Sequence, residues 1–506
     1  MKKILFTVIG LTMSTMSALA GGFLTNTNQS VLFDKNPARD AAIGLDGVYS
    51  NPAGVVFMPE GFHIGFNWQY VHQTRTITTT NPDFALGKKN NGNTVKEFEG
   101  VADAPIVPSL QFAYNKGNWS FQANLSIEGG GGMLEFADGL GSFESQVGAL
   151  ARQLEQLGGL GYDMDSYMRG SEYFYGIQLG TAYKITKDLS VYGGLRLLYG
   201  SATYKAKLNN IMAKTEMGYV DFNDYLSLTS ANVTNGLEQV IAGLEQVNAG
   251  IAQYQANGMN VPAELLAQQQ QLMLQEGKLE YVRENLTQLQ KYADGVNLLC
   301  NQDGIGIAPI IGVDYRYKNF NFAAKYEFKT QMRMKNESTL NEANAIPAVN
   351  KFRDGEKVNE DTPALLAIGA QWKPIDNVSL NLGWHHYFDK AASWYGNTQE
   401  LLDHDTNEYL AGVEWDITDR LNISCGGQLT RYGLTDRYMN DMSFTTNSYS
   451  IGMGCSYKIN DILTLSAAYF HTDYENYNRN NYPTEGVNES FTRSNRVLAI
   501  GCQLDF

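Results

Sequence analysis

The chain has 506 residues and a net charge of −15, and only 18% of its residues are charged. A polyanion of this kind excludes nucleic acid as a partner, and beyond the first twenty residues no run of 18 apolar residues could form a transmembrane helix. Thirty Tyr, 23 Phe and 50 Gly against 12 Pro match the half-apolar strands of a membrane β-barrel better than a string of soluble domains.

The chain opens MKKILFTVIGLTMSTMSALA. Lys2 and Lys3, an apolar stretch from Ile4 to Leu11, and Ala18-Leu19-Ala20 before Gly21 have the layout of a secretory signal peptide over residues 1–20. Residues 21–60 follow without clean alternation, yet Leu24, Val31, Phe33, Leu45 and Val48 need a dry home. The nearest one is the lumen of a barrel, so this segment is expected to be a hatch, or plug. A periplasmic tail packed on a partner is the alternative.

From residue 61 the chain reads as strands. Phe62, Ile64, Phe66, Trp68 and Tyr70 alternate with His63, Gly65, Asn67 and Gln69. Six phrases then recur: YNKGNWSF (114–121), YKITKDLSV (183–191), YRYKNFNF (315–322), WKPIDNVSL (372–380), WDITDRLNI (415–423) and YKINDILTL (457–465). In each, an aromatic residue closes one alternating run, a polar turn follows, and another run begins. Trp119, Phe121, Leu125 and Ile127, for example, should face lipid, with Ser120, Gln122, Asn124, Ser126 and Glu128 inward. Six turns define twelve strands, and residues 62–70 and 497–506 complete fourteen. That even count predicts an all-β fold, a 14-stranded antiparallel transmembrane β-barrel over residues 61–506, with both termini periplasmic. Tyr114, Tyr183, Tyr317, Trp372, Trp415 and Tyr457 form its periplasmic aromatic girdle.

The opposite connections are long: 73–104, 129–170, 206–302, 335–360, 390–405, 433–445 and 474–492. In the third, Leu237, Val240, Leu244, Val247 and Ile251, then Leu272, Leu279, Val282, Leu286 and Leu289, make two helical stripes around Pro262. They predict a helical hairpin over 233–295 in this extracellular loop, as a lid, a receptor surface, or a pair of helices that only bury each other. A shorter helical run covers 142–157.

The segment DGVYSNPAG (46–54), just ahead of the first strand, resembles the N-terminal hatch of the long-chain fatty acid and hydrophobic-compound transporters of outer membranes, the FadL/TodX-like family. Asn51, Pro52 and Ala53 match that family's Asn-Pro-Ala motif, and Phe23 lies near the mature start. The resemblance implies passive uptake of fatty acids or similar lipophiles across the bacterial outer membrane by a non-enzyme. Outer loops would capture the cargo, a lumen pocket would receive it, and the hatch would gate it. The cargo would leave sideways through a wall gap at a kink in the third strand. Gly129, Gly130, Gly131 and Gly132 are the candidate kink, or else a flexible loop base. Phe23, Arg196 and Lys325 are candidate pocket residues, either cation being able to hold a carboxylate. The terminal Phe506 resembles the signal read by the barrel assembly machinery. The partners expected are therefore hydrophobic small molecules, outer-membrane lipid and that machinery, with the protein a monomer.

Glu128, Arg196, Lys325, Glu327 and Glu414 fall on inward positions and are expected to pair with each other or with the hatch. His385 and His386 sit between Trp384 and Tyr387 and read as interface polar residues, with haem or metal ligation as the alternative. Cys300, Cys425, Cys455 and Cys502 have no metal-ligand spacing, and the last three occupy lipid-facing positions. No metal or cofactor is expected. A polar-solute porin and a cell-surface receptor or adhesin displaying the hairpin are the competing functions.

Overall fold

A computed structural model describes residues 29–155, 158–340 and 347–506. The expected signal peptide 1–20 and Phe23 lie outside them.

Fourteen antiparallel strands close into a barrel. They are β1 (Gly61–Thr80), β2 (Val95–Lys116), β3 (Trp119–Phe136), β4 (Gly161–Lys184), β5 (Leu189–Thr215), β6 (Val296–Tyr317) and β7 (Phe320–Glu327). The second half comprises β8 (Leu365–Ile375), β9 (Val378–Tyr387), β10 (Thr406–Asp416), β11 (Leu421–Arg431), β12 (Ser448–Lys458), β13 (Leu463–Tyr474) and β14 (Asn488–Asp505). Each pairs with its neighbours, and β1 closes on β14 from His63↔Asp505 to Thr80↔Asn488. Short strand segments at 218–221, 333–340, 357–359 and 477–480 extend this pairing in the loops.

Alternation decides which side chains meet lipid. On β6, buried and exposed residues alternate from Val296 to Ile310, so Ile305 and Ile307 are 65% and 58% exposed while Gly306 and Ala308 point inward. The six turns fall where the aromatic phrases put them, and the girdle rings Tyr114, Tyr183, Tyr317, Trp372, Trp415 and Tyr457 lie on that rim. Trp119 packs on Tyr183 at 4.6 Å, and Phe320 stacks on Trp372 at 5.9 Å.

The strands run farther than hydrophobic alternation suggests. The expected loop 73–104 shrinks to 81–94, 129–170 to 137–160, and 206–302 to 216–295. Above the membrane both faces turn polar or covered, so the period-two signal fades although the hydrogen-bond ladder continues. Between these strand ends the loops pack a dry cluster that includes Phe84, Phe98, Phe136, Phe143, Phe222 and Phe491. Helix α2 (Gly141–Leu154) belongs to it through Phe143, Val147, Leu150 and Leu154.

Helices α3 (Phe222–Ala256) and α4 (Ala263–Ala293) pack as an antiparallel pair. Asp221 caps α3 by accepting from the amides of Asn223 and Asp224. Gly236, Gly243 and Gly250, spaced by seven, face Leu279, Leu272 and Leu265 of α4, so small residues on one helix receive large ones on the other.

Residues 29–58 contain α1 (Val31–Lys35) and two short 3-10 turns, Leu45–Val48 and Gly54–Phe57. Leu45, Val48 and Val55 bury against Ala113 of β2, and Ala53 and Val56 bury against Ala182, Tyr192 and Ile310 on the inner wall. This inner segment approaches the wall so closely that a Cβ on Gly412 would sit 1.8 Å from the Asn36 side-chain oxygen.

Candidate lumen site and wall gap

The inner segment is held by its backbone. An irregular chain in a barrel leaves amides and carbonyls that must find partners, and inward-facing polar residues of the strands supply them. Gln122 donates to the Pro52 carbonyl at 2.8 Å, Ser190 to that of Ala53 at 2.6 Å, Gln178 to that of Val48 at 2.8 Å, and Asn115 to that of Val55 at 2.8 Å. Asn51 works in both directions. Its side-chain oxygen accepts from the Gly54 amide at 3.2 Å, closing the turn, while its amide donates to Asp314 on β6 at 2.7 Å. Asn321 of β7 also donates to Asp314, at 2.8 Å, and to the Ala41 carbonyl at 2.8 Å. Asn51, Pro52 and Ala53 thus form one clamp against β3, β5 and β6.

Arg196 and Lys325 come together from β5 and β7 around Glu327. Arg196 donates to Glu327 at 2.6 Å and to Gln178 at 2.7 Å, and Lys325 donates to Glu327 at 2.6 Å and to the Tyr49 carbonyl at 2.8 Å. The Tyr49 ring of the inner segment lies 5.0 Å from the Arg196 guanidinium and 4.6 Å from the Lys325 ammonium. Glu128 completes the group at 3.4 Å from Arg196. Both cations are therefore already met by carboxylates. A second cluster ties Arg39 of the inner segment to Asp46 and to Glu414 of β10.

A third centre corrects the reading of His385. It is not an interface residue: it points inward and bridges Asp40 of the inner segment and Glu408 of β10, each at 2.9 Å. Glu408 also accepts from Gln428, Thr430 and Tyr387. The alternation that puts Leu382 and Trp384 outside puts His385 inside, so the signal was present. Among the described residues no group of His, Cys, Asp and Glu is arranged to hold a metal ion.

Between these clusters lies a luminal cavity of about 40 Å³, lined among others by Phe33, Tyr49, Lys325, His385 and Tyr387. It has room for a few waters and none for an alkyl chain. Around it residues 29–58 pack against the inner wall.

The wall has one conspicuous interruption, between β2 and β3. Their pairing runs from Gly100↔Phe136 to Asp103↔Met133, lapses, and resumes at Ser109↔Ser126. The stretch of β2 left unpaired on its β3 side is Ala104-Pro105-Ile106-Val107-Pro108, whose two prolines have no N–H to offer a ladder, while Ala104, Val107 and Pro108 still partner β1 on the other side. Opposite it stand Ile127 to Gly132, where β3 also slips twice against β4. Gly130 takes φ +70, and a Cβ there would sit 2.1 Å from the Glu172 carbonyl oxygen, so the kink requires glycine. Ile127, expected to face lipid, is buried because the bulges break alternation here. Gln29 of the inner segment donates to the Ile127 carbonyl at 3.1 Å, and Glu128 connects the gap to Arg196. Prolines on β2 were the signal that reading the glycines alone missed.

Among the described residues all four cysteines are free; Cys425 and Cys455 are exposed on the outer wall, and Cys300 is buried among the loops.

No protein-family model matches the chain, and no curated protein sequence does. Its architecture is that of a transmembrane β-barrel with residues 29–58 packed against its inner wall. Solved structures carry the same fold. A FadL homologue from Pseudomonas aeruginosa aligns over 95% of this chain and 98% of its own, with a TM-score of 0.57 at 11% identity. The P. putida toluene transporter TodX aligns over 92% and 94%, with a TM-score of 0.52 at 13% identity. At such identities the likeness is one of fold, and the fold is that of the FadL/TodX-like channels.

Proposed function

We propose that this protein is a passive outer-membrane channel for hydrophobic molecules. Cargo is captured by the outer loops, admitted when residues 21–60 rearrange as a hatch, and released sideways into the membrane through the gap between β2 and β3. The interrupted ladder carries this reading. A barrel ordinarily pairs every strand because an unpaired backbone is costly in lipid, and here five residues of β2 face a glycine-rich bulge without pairing. An apolar molecule that leaves through such a gap keeps about 0.8 kcal/mol per CH₂ that exit into water would forfeit. The fold shared with a toluene transporter agrees with this cargo class. Both termini would lie in the periplasm, with Phe506 read by the barrel assembly machinery and the barrel working as a monomer.

A polar-solute porin is less well supported, because residues 29–58 lie inside the barrel against its inner wall. Conductance in planar bilayers separates the two. The intact protein should be nearly silent, and deletion of residues 21–60 should open a large, steady conductance. Proteoliposomes should take up a hydrophobic dye faster with the intact protein than without it. A steady conductance from the intact chain, or no gain in dye uptake, would overturn the transporter.

A further inference from the structure

The outward face of β4 and β5 carries a cationic site above the aromatic belt. Going up from the periplasmic rim, β4 presents Tyr183, Leu179, Ile177, Tyr175 and Tyr173 on the lipid side, and then Ser171, Arg169 and Tyr167. At about 3.3 Å per residue and a tilt of about 40°, Tyr183 and Tyr173 stand about 25 Å apart in height, the thickness of the apolar band. Tyr175 stacks on Tyr173 at 5.9 Å and faces Tyr199 of β5 at 6.3 Å, forming the upper belt. Arg169 lies four residues higher, about 10 Å above that belt, at the level of lipid headgroups.

There the ladder places like charges side by side. Arg169 is the direct partner of Lys205, and Tyr167 that of Lys207. Opposed like charges destabilise a sheet unless something anionic lies between them. No protein acid does so among the described residues: Arg169, Lys205 and Lys207 make no ion pair, although Glu135 stands across from Arg169 on β3. Slightly higher, by contrast, Lys88 pairs with Asp163 and Lys89 with Asp165, each at 2.6 Å, so these two acids of β4 are already engaged. Lys205 rests 6.0 Å from the Tyr167 ring, and Ser171 faces Thr203 just below, adding hydroxyls.

The geometry points to a binding site for the phosphate of an outer-leaflet lipid, held by Arg169, Lys205 and Lys207 while its chains lie on Tyr173, Tyr175 and Tyr199. The anion relieves the opposed charges, the long cationic side chains reach down to it, and basic clusters at a membrane surface recognise phosphorylated headgroups. This site depends on the outer-membrane orientation and not on transport.

Native mass spectrometry of the detergent-purified protein tests it, with diphosphoryl lipid A and dephosphorylated lipid A as probes. The wild type should retain the phosphorylated lipid preferentially. R169Q/K205Q/K207Q should weaken retention about a hundredfold, and K205Q alone about fivefold should the triple variant not fold. R431Q, whose arginine pairs with Glu475 on another part of the rim, should leave retention unchanged. Equal retention of both lipids, or undiminished retention by K205Q and the triple variant, would overturn the site. Displacement of the lipid by excess inorganic phosphate would also overturn it, by revealing a free-anion site.

Discussion

Asn51→Ala tests the clamp that holds the inner segment in place. The substitution removes a long bond to the Ala42 carbonyl and two stronger ones: the charge-assisted bond to Asp314 and the turn-closing one from the Gly54 amide. The bond to Asp314 contributes about 1.5–3 kcal/mol and the turn-closing one about 0.5–1.5 kcal/mol. A combined loss of about 3 kcal/mol multiplies the population of the released segment by about 150. Asp314 compounds the effect, because in its buried site it is left with Asn321 as side-chain donor. In planar bilayers, N51A should turn the near-silent protein into one with frequent transient openings, still short of the steady conductance of the 21–60 deletion. Asp314→Asn removes the buried charge, so N51A made in that background should have a markedly smaller effect. If N51A opens the channel no more often than wild type, or acts equally strongly beside D314N, the clamp does not run through this pair.

Glu327→Gln strips Arg196 and Lys325 of their shared carboxylate, leaving two buried cations with too little countercharge; a loss of about 3–5 kcal/mol is expected, visible as a lower unfolding temperature in detergent. Because both cations are matched by acids, a C12 headgroup series should bind with dodecanol at least as tight as laurate, measured by tryptophan fluorescence, and E327Q should shift the preference toward laurate; a laurate preference in the wild type that E327Q does not enlarge would refute the view that Glu327 occupies Arg196 and Lys325. In the outer loop between β9 and β10, burial pushes the Asp389 carboxyl up to about 7, partly opposed by the Thr406 amide. An acid raised above its usual value near 4 binds more protons folded than unfolded, so its stabilising effect is full below about pH 4 and is lost as pH rises through 7, by up to about 4 kcal/mol. Amide exchange over residues 389–402, corrected for intrinsic rates, should therefore speed up from pH 5 to 8, and Asp389→Asn should flatten that trend.

The strand count, the turns and the outer face were all legible in the chain. Each depends on a local rule: period-two alternation between lipid and lumen, and an aromatic ring where a strand reaches the interface. Those rules need only neighbouring residues, so Tyr183, Trp372 and Tyr457 marked their turns correctly. The rules failed where their assumption failed. At Ile127 the double bulge breaks the period, and beyond residue 73 β1 continues above the membrane with both faces polar or covered by loops, where hydrophobicity no longer reports the ladder. His385 falls between aromatic residues that mark an interface, yet its parity on β9, opposite to that of Leu382 and Trp384, sends it into the lumen.

Membrane class and the inward or outward sense of most strand positions follow from residues close together in the chain. The identity of luminal partners does not. Asn51 and Asp314 are 263 residues apart, and Asp40 and His385 are 345 apart. Which inward amide caps which carbonyl depends on how the inner segment lies once all fourteen strands have closed, because hydrogen bonds are directional and extend only about 3 Å. The gap between β2 and β3 is likewise a property of two strands in register, since neither Pro105 and Pro108 nor the glycines of β3 alone specify that they stand opposite one another.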